Sequence, residues 1–372
     1  MSDLTLILLS AGSSSRFDMS AKKQWLRIAT KPLWQFVAEN FSKSYNFSKI
    51  IITASENEIE YMKLFSDASL VLGGQTRQES LKNAMQHVNT PYVLVSDIAR
   101  CCIPSDLIER LIESKEEADC IVPYIRVSDT VVQGDTTIDR ENLKRIQTPQ
   151  LSLTSALKSA LNLEDVYTDD SSAIVANGGT RRFVEGDSAA HKLTFKSDLQ
   201  YIHCLRKPEN TTFSGIGFDV HPFEDGKTMV LGGVEIDSAF GFKAHSDGDV
   251  AIHSLIDALL GAAALGDIGT LFPDSDAQYK NIDSTQLLEQ TVTLIQSRGF
   301  EIINADITIM AQVPRLEPYK EAIRSKLASL LGLEKHRMNI KATTTEKLGF
   351  IGRKEGVGVQ SIATIKYLDW TK

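Results

Sequence analysis

Three of the seven histidines in this 372-residue chain fall between Gly217 and Asp267, and their spacing suits metal ligation. Phe213 to His221 reads as a strand that Pro222 stops. Side chains two apart on a strand share a face, so Asp219 and His221 point the same way. Ala244-His245-Ser246-Asp247-Gly248-Asp249 then leads into a helix, with Val250, Leu255, Ile256, Leu259 and Leu260 apolar at spacings of three and four. Asp249, His253 and Asp257 recur every four residues and share a face of it. Taken alone, His253 reads as a satisfied histidine on a half-polar helix. Taken together, Asp219, His221 and His253 are one carboxylate and two imidazoles from two elements. That set suits a catalytic zinc, which keeps three protein ligands and leaves a fourth position for water or substrate. The same ligands accept manganese or cobalt. No cysteine joins them, which argues against a closed structural zinc site. Asp257, one turn beyond His253, is placed either to orient that imidazole or to face a partner helix.

A second constellation lies near the start of the chain. Leu4 to Leu9 reads as a buried strand running into Ser10-Ala11-Gly12-Ser13-Ser14-Ser15-Arg16, followed by Lys22-Lys23-Gln24. Small side chains let backbone N–H groups approach an anion, so the loop is either a phosphate cradle or an ordinary strand-to-helix turn. Arg16 and Lys23 favour the cradle, because two cations around such a loop suit a triphosphate. The strand Tyr92 to Ser96 ends at Asp97, with Arg100 just beyond. Ligands of open α/β sheets bind at the carboxyl ends of strands. Asp97 is there a candidate to hold Mg²⁺, or to cap the following turn.

The elements that must position these residues fall into two sets. Strands at Lys49–Ala54, Leu70–Leu72 and Tyr92–Ser96 alternate with helical patterns at Leu33–Phe41 and Gln78–His87. That rhythm predicts an α/β, Rossmann-like first domain with a mostly parallel sheet and helices on both faces. Lys207-Pro208-Glu209-Asn210-Thr211-Thr212 is short, polar and proline-bearing, and divides the chain into domains of residues 1–208 and 212–372. The length fits two domains, and so short a linker limits their reorientation. The second half predicts an α+β domain, with helices at Ser284–Gly299 and up to Leu331 and strands at Asp306–Met310 and Met338–Ala342. Thr343-x-x-Glu346 matches a capping box, and a helix N-terminus there would attract phosphate.

Composition narrows the function classes. Hydrophobic content of 42% with 24% charged residues suits globular domains. A net charge of −8 argues against general nucleic-acid binding, although local basic residues decide whether anionic substrates bind. Cys101, Cys102, Cys120 and Cys204 show no Cys-x-x-Cys spacing, and adjacent Cys101 and Cys102 are poor disulfide partners. A reducing cytoplasm is therefore expected. The N-terminus has no basic leader. Val250 to Leu265, the most apolar helix, is interrupted by His253 and Asp257, so no segment is expected to span a membrane.

At these residues the chain resembles two known families. Gly217 to Phe223, Ala244 to Phe272 and Lys341 to Arg353 closely resemble 2-C-methyl-D-erythritol 2,4-cyclodiphosphate synthase of the non-mevalonate isoprenoid pathway. The resemblance implies zinc on Asp219, His221 and His253, with His245 and Thr344 as transition-state stabilisers. It also implies substrate contacts from Ser246, Asp267, Gly269, Phe350 and Arg353 and a cytidine pocket at Ala311, Val313 and Arg315. Thr343 and Glu346 would meet the nucleotide diphosphate, Glu346 near a second divalent ion. Such synthases are trimers whose sites draw on neighbouring subunits.

Ser10 to Lys23, Gly73-Gly74-Gln75-Thr76-Arg77 with Ser80, Asp97 to Arg100, Arg140 with Thr148-Pro149-Gln150, Thr168-Asp169 and Val184-Glu185-Gly186 with Lys192 resemble 2-C-methyl-D-erythritol 4-phosphate cytidylyltransferase. That match implies a CTP site lined by Ser10 to Ser15, Gly74, Gln75, Ser80 and Asp97, with Arg100 and Thr168 as further contacts. Arg16 and Lys23 would stabilise the transition state, and Arg140 and Lys192 would position the methylerythritol phosphate. Three positions depart from the family: Ser14 stands for a loop glycine, Lys22 for a proline and Cys101 for another proline. The first domain's family tends to dimerise, so a hexamer could combine both contacts. Two rivals remain at this point: a degenerate binding or scaffold module, and a sugar nucleotidyltransferase with another acceptor.

Overall fold

The computed structural model describes residues 2–372 apart from 164, 245, 246, 274, 280 and 281. The chain forms two compact units, Met1–Lys207 and Pro208–Lys372.

In the first unit Leu4–Leu9 is buried at all six positions. It runs parallel to Lys49–Ala54 on one side and Tyr92–Asp97 on the other, and a strand covered on both faces reads as a continuous apolar run. Ser69–Leu72 extends the parallel part. Beyond Tyr92–Asp97 the sheet reverses: Gln150–Leu153 pairs antiparallel with it and with Cys120–Arg126. Arg181–Glu185 then joins Cys120–Arg126 in parallel. Helix Leu33–Ser44 buries Leu33, Trp34, Val37 and Phe41, one stripe at helical spacing. Helix Arg77–Met85 starts at a complete capping box from Thr76 and Glu79.

The cysteines differ from expectation. Cys102 is bonded to Cys204, 102 positions away in sequence, with Cα atoms 5.8 Å apart. Spacing could not reveal this pair, because its two halves lie far apart in sequence and meet only after folding. Cys101 and Cys120 are free and buried. Burial pushes each of their thiols up to about 12, so neither is a ready nucleophile. Under denaturing, non-reducing conditions two cysteines should alkylate, and all four after reduction. Mass spectrometry showing four adducts without reduction would break the assigned pair.

The second unit is a five-stranded sheet in the order Phe240–Phe242, Thr212–Asp225, Gly356–Tyr367, Phe300–Met310 and Met338–Thr343. All pairs are antiparallel except the last. Pro222 does not stop the first long strand, which continues to Asp225. The proline sits where the strand exchanges neighbours: pairing with Gly356–Tyr367 ends at Pro222, and pairing with Phe240–Phe242 begins at Phe223. A missing N–H is tolerated at such a break in the ladder.

Helix Val250–Ala262 lies against this strand, with ten of its residues buried. A Cβ at Gly217 would stand 1.9 Å from the Ser254 carbonyl oxygen, and one at Gly215 would stand 2.1 Å from that of Ala258. Only glycine admits this approach, and it brings His253 up to the strand carrying Asp219. Among the described residues no helix is long and apolar enough to cross a membrane.

Candidate functional site

In the first unit the cradle, the Gly73–Gln75 turn and the end of the Tyr92–Asp97 strand surround one cavity of about 670 Å³. Its lining includes Ser10, Ala11, Gly12, Ser13, Ser14, Arg16, Lys23, Gly74, Gln75, Ser80, Asp97 and Lys192. Ser15 is exposed beside it and is not part of the wall. Ser14 takes a positive φ of 59°, a region that favours glycine. Its hydroxyl offsets the strain by donating to Gln24 Oε1 at 3.1 Å and accepting the Lys23 N–H at 3.1 Å. Gln24 in turn donates to the Gly12 carbonyl and to buried Glu58. Glu58 also pairs with Lys22 at 3.2 Å. Serine and lysine at these two positions are therefore built into the loop. Cys101 is packed in the core behind Asp97–Arg100.

Asp97 sits at the centre of the charges. It accepts from Lys192 Nζ at 2.7 Å, from Arg77 Nε at 3.4 Å and from Thr148 Oγ1 at 3.5 Å. Burial opposes its ionisation, but Arg77 and Lys192 outweigh that and hold it at about 2. Arg77 is itself locked by two bonds to buried Asp170, at 2.7 and 3.3 Å. This clamp escaped the sequence reading, since Asp170 lies 93 positions from Arg77. Lys23 donates to the Leu193 carbonyl at 3.1 Å. Burial and the neighbouring charges of Lys192 and Arg16 lower its affinity for a proton below the ordinary lysine range.

Three expected contacts fall elsewhere. Arg100 is buried and spends its guanidinium on Thr148 Oγ1 at 2.9 Å and the Ala190 carbonyl, so it braces the wall. Thr168 is exposed and does not line the cavity. Arg140 is exposed, donates to the Ser128 carbonyl at 2.7 Å and belongs to a separate basic hollow with Arg126 and Lys144.

In the second unit Asp219, His221 and His253 come together, with one potential ligand atom from each within 4.8 Å of the others. Nδ1 of His221 and Nδ1 of His253 lie 3.1 and 3.3 Å from Asp219 Oδ2. The His221 contact is off the hydrogen-bond direction, which leaves that buried nitrogen without a well-aimed partner among the described residues. Converging donors with an orphaned nitrogen fit a bound cation. Burial opposes the Asp219 charge, yet the two histidines hold it well below the usual carboxylate range. Burial lowers His253 and its hydrogen bond and charge contact with Asp219 raise it, with a net rise. The three line a cavity of about 550 Å³ with Asp257, Gly269, Phe272 and Tyr279.

The other acidic residues of the helix have different tasks. Asp249 is buried and caps the helix, accepting the N–H groups of Ala251 and Ile252 and those of Gly232 and Gly233. Asp257 accepts the Ile268 N–H at 2.8 Å, while the His253 Nε2 contact comes from Ser284. His245 and Ser246 lie outside the described residues. Asp267 is exposed and caps the short helix Ile268–Leu271.

The remaining expected contacts form a second group that does not line the metal cavity. The Ala311 N–H donates to the Thr343 carbonyl at 3.0 Å, and the Lys347 N–H reaches Gln312 Oε1, so the Ala311–Arg315 segment meets Thr343–Lys347. The capping box expected at Thr343 does not form. Glu346 and Lys347 take φ of 51° and 68°, which no right-handed helix admits, and the next helix starts at Gly349. Thr344 Oγ1 instead contacts Glu346 Oε1 at 3.4 Å. Phe350 is exposed, and Arg353 pairs with Glu355 at 2.8 Å.

Comparison with known proteins follows the same division. Residues 4–205 match the family model of 2-C-methyl-D-erythritol 4-phosphate cytidylyltransferase, and residues 212–366 match that of the YgbB family. The chain is 58% identical to the bifunctional enzyme IspD/IspF of Sulfurimonas denitrificans over 99% of this chain and 96% of that protein. It is 55% identical to the enzyme of the same name from a Sulfurovum species, over 100% of this chain and 99% of that one. The solved structure of the bifunctional IspDF from Campylobacter jejuni superposes with a TM-score of 0.95 at 49% identity, each chain covered in full. With both family models matched in order and relatives aligned from end to end, this chain belongs to the bifunctional IspD/IspF family of enzymes.

Proposed function

We propose that the two activities of this bifunctional enzyme are divided between its units. The first transfers a cytidylyl group from CTP to 2-C-methyl-D-erythritol 4-phosphate and releases pyrophosphate. The second cyclises 4-diphosphocytidyl-2-C-methyl-D-erythritol 2-phosphate to the 2,4-cyclodiphosphate and releases CMP. One observation carries this reading: a single chain holds two separate cavities built for phosphate chemistry, one ringed by cations and one by a three-ligand metal set.

In the first cavity the acceptor phosphate attacks the α-phosphorus of CTP. Such transfers depend on positioning and charge stabilisation, which suits a wall with cations and no activated side-chain nucleophile. The cradle and Gly74, Gln75 and Ser80 surround the nucleotide. Arg16 and Lys23 face charge developing at phosphorus, and Lys192 turns from Asp97 to the acceptor phosphate. Asp97 is the carboxylate to hold Mg²⁺, which would supply further neutralisation of the triphosphate. Arg140 stands apart from this cavity within one chain, which supports a dimer in which it reaches the neighbour's acceptor.

In the second cavity the 2-phosphate attacks the β-phosphorus. Asp219, His221 and His253 would hold Zn²⁺, which would supply Lewis-acid polarisation of a phosphate oxygen. Ala311, Val313, Arg315, Thr343, Thr344 and Glu346 would hold the cytidyl diphosphate, Glu346 near a second divalent ion. His245 and Thr344 act on the transition state. Apart from His245, which lies outside the described residues, these groups do not share the metal cavity within one chain, so a site completed by another copy is the simplest reading. Ile216, Phe218 and Val220 stand on the sheet face opposite Gly217 and Asp219, with Ile216 paired to Ile362. They are 64%, 58% and 42% exposed, and a flat apolar face of this kind supports burial against further copies. On this reading the unit assembles as a trimer and the whole chain as a hexamer.

The phosphorylation that must intervene has no site in this reading, so the two reactions are not consecutive and direct hand-over between them is chemically excluded. We place the enzyme in the cytoplasm, where the Cys102–Cys204 bond is of a kind that the reducing compartment keeps rare. The test is to assay pyrophosphate release from CTP with and without the acceptor, and CMP release from the cyclase substrate, on one preparation whose mass is measured by light scattering. Acceptor-dependent pyrophosphate, CMP and a multiple of the chain mass are expected. A monomer with full cyclase activity would overturn the shared-site reading.

A further inference from the structure

The imidazole of His253 is held at both nitrogens. Nδ1 faces Asp219 Oδ2 at 3.3 Å, and Nε2 lies 3.0 Å from Ser284 Oγ. Ser284 Oγ donates to Asp247 Oδ1 at 2.5 Å, and the Ser284 N–H donates to Asp247 Oδ2 at 3.0 Å. Asp247 is fixed by two further contacts: its Oδ1 accepts the Asp249 N–H at 3.2 Å, and its own N–H meets the Ile282 carbonyl at 3.4 Å. Ser284 is buried at the first position of helix Ser284–Ser297, whose cap is supplied by Asp283. Its hydroxyl is therefore not needed to cap the helix.

We propose that Ser284 and Asp247 are positioning residues for metal binding by His253, acting by fixing its tautomer. The inference rests on the metal reading of Asp219, His221 and His253. The directions of the bonds carry it. An ionised carboxylate only accepts, so the Ser284 proton points to Asp247. The serine oxygen is then left to accept, and the group it accepts from is His253 Nε2–H. With the proton on Nε2, the lone pair of Nδ1 is directed at the metal set. The opposite tautomer would place N–H on Nδ1, toward the cation, and would set two lone pairs against each other at Ser284. A ligating histidine whose other nitrogen is engaged in this way is a better ligand and a better oriented one. Without the serine both tautomers become accessible and the ring can rotate.

Zinc affinity of the full-length metal-free chain, measured by competition with a chelating dye, tests the relay. Ser284→Ala should weaken zinc binding by about 10- to 100-fold. Ser284→Thr, which keeps the hydroxyl, should stay within about threefold of wild type, a bound drawn from the same effect. Asp247→Asn should weaken binding like Ser284→Ala, because its amide no longer fixes the serine proton. Circular dichroism and thermal unfolding of the same preparations report that the second unit is folded. Equal zinc affinity in wild type and Ser284→Ala, or equal loss in the Ala and Thr variants, overturns the relay and leaves the metal set standing. Wild type that takes no zinc overturns both.

Discussion

His253→Ala should strip the second unit of its metal and lower CMP release by about 1,000-fold or more, while pyrophosphate release in the first unit stays at wild-type level. The size follows from chemistry. A Lewis acid at a phosphoryl oxygen supplies several kcal/mol of charge stabilisation, and each 1.36 kcal/mol is about tenfold in rate. Asp219 and His221 cannot replace the lost ligand, since a two-ligand site forfeits both affinity and geometry. Asp257 is the nearest spare carboxylate on the same helix, and it is committed to the Ile268 N–H. The substitution should not unfold the unit, because the apolar side of the helix, with Leu255, Ile256 and Leu259, is fully buried against the sheet. Elemental analysis alongside both assays checks this. About one zinc per chain is expected in wild type and none in the variant. Full metal content with retained cyclisation would remove His253 from the set.

The residues proposed to touch the reacting groups were legible because their types and local spacing carry the signal. Asp219 and His221 are two apart on a strand, His253 is one turn into an apolar helix, and the small-residue cradle follows a buried strand. What supports them was not legible, because support comes from long range. Ser284 reaches His253 across 31 positions and Asp170 reaches Arg77 across 93, and nothing in either local sequence marks the partner. Asp249 shows the converse failure. Its spacing put it on the face of His253, but a helix N-cap has non-helical geometry and turned its carboxylate to four backbone N–H groups. The capping pattern at Thr343 failed because two consecutive residues, Glu346 and Lys347, adopt left-handed backbone. Arg140 and the Ala311–Arg315 segment mark a third limit: one chain does not bring them to the cavities they are expected to serve.

Lys23→Ala should lower kcat/KM of the cytidylyl reaction by about 100- to 1,000-fold, the range for removing one pre-oriented group that stabilises developing negative charge. Cyclisation should be untouched. The ammonium lies in the cavity wall between Arg16 and Lys192, and burial together with those two charges lowers its affinity for a proton. A cation held under such repulsion gains most when an anion arrives, so its interaction favours the bound, charge-rich states over the free enzyme. The structural loss is small: the bond to the Leu193 carbonyl disappears, worth about 1 kcal/mol, together with a cation–π contact to Phe17 at 5.9 Å. The Lys192–Asp97 pair and the Leu193 N–H to Ala99 bond still hold that segment. The pH profile separates this role from packing. Lys23 is charged below its lowered value and loses the charge as pH rises through it, so kcat/KM should fall on the alkaline side before an ordinary lysine would titrate. Bound triphosphate restores the preference for the charged form, so the limb in kcat should lie at higher pH than the limb in kcat/KM. Lys23→Arg keeps the charge throughout and should remove the limb even where its rate is reduced. An unchanged limb in Lys23→Arg would assign the titration to another group, and an unchanged rate in Lys23→Ala would take Lys23 out of the chemistry.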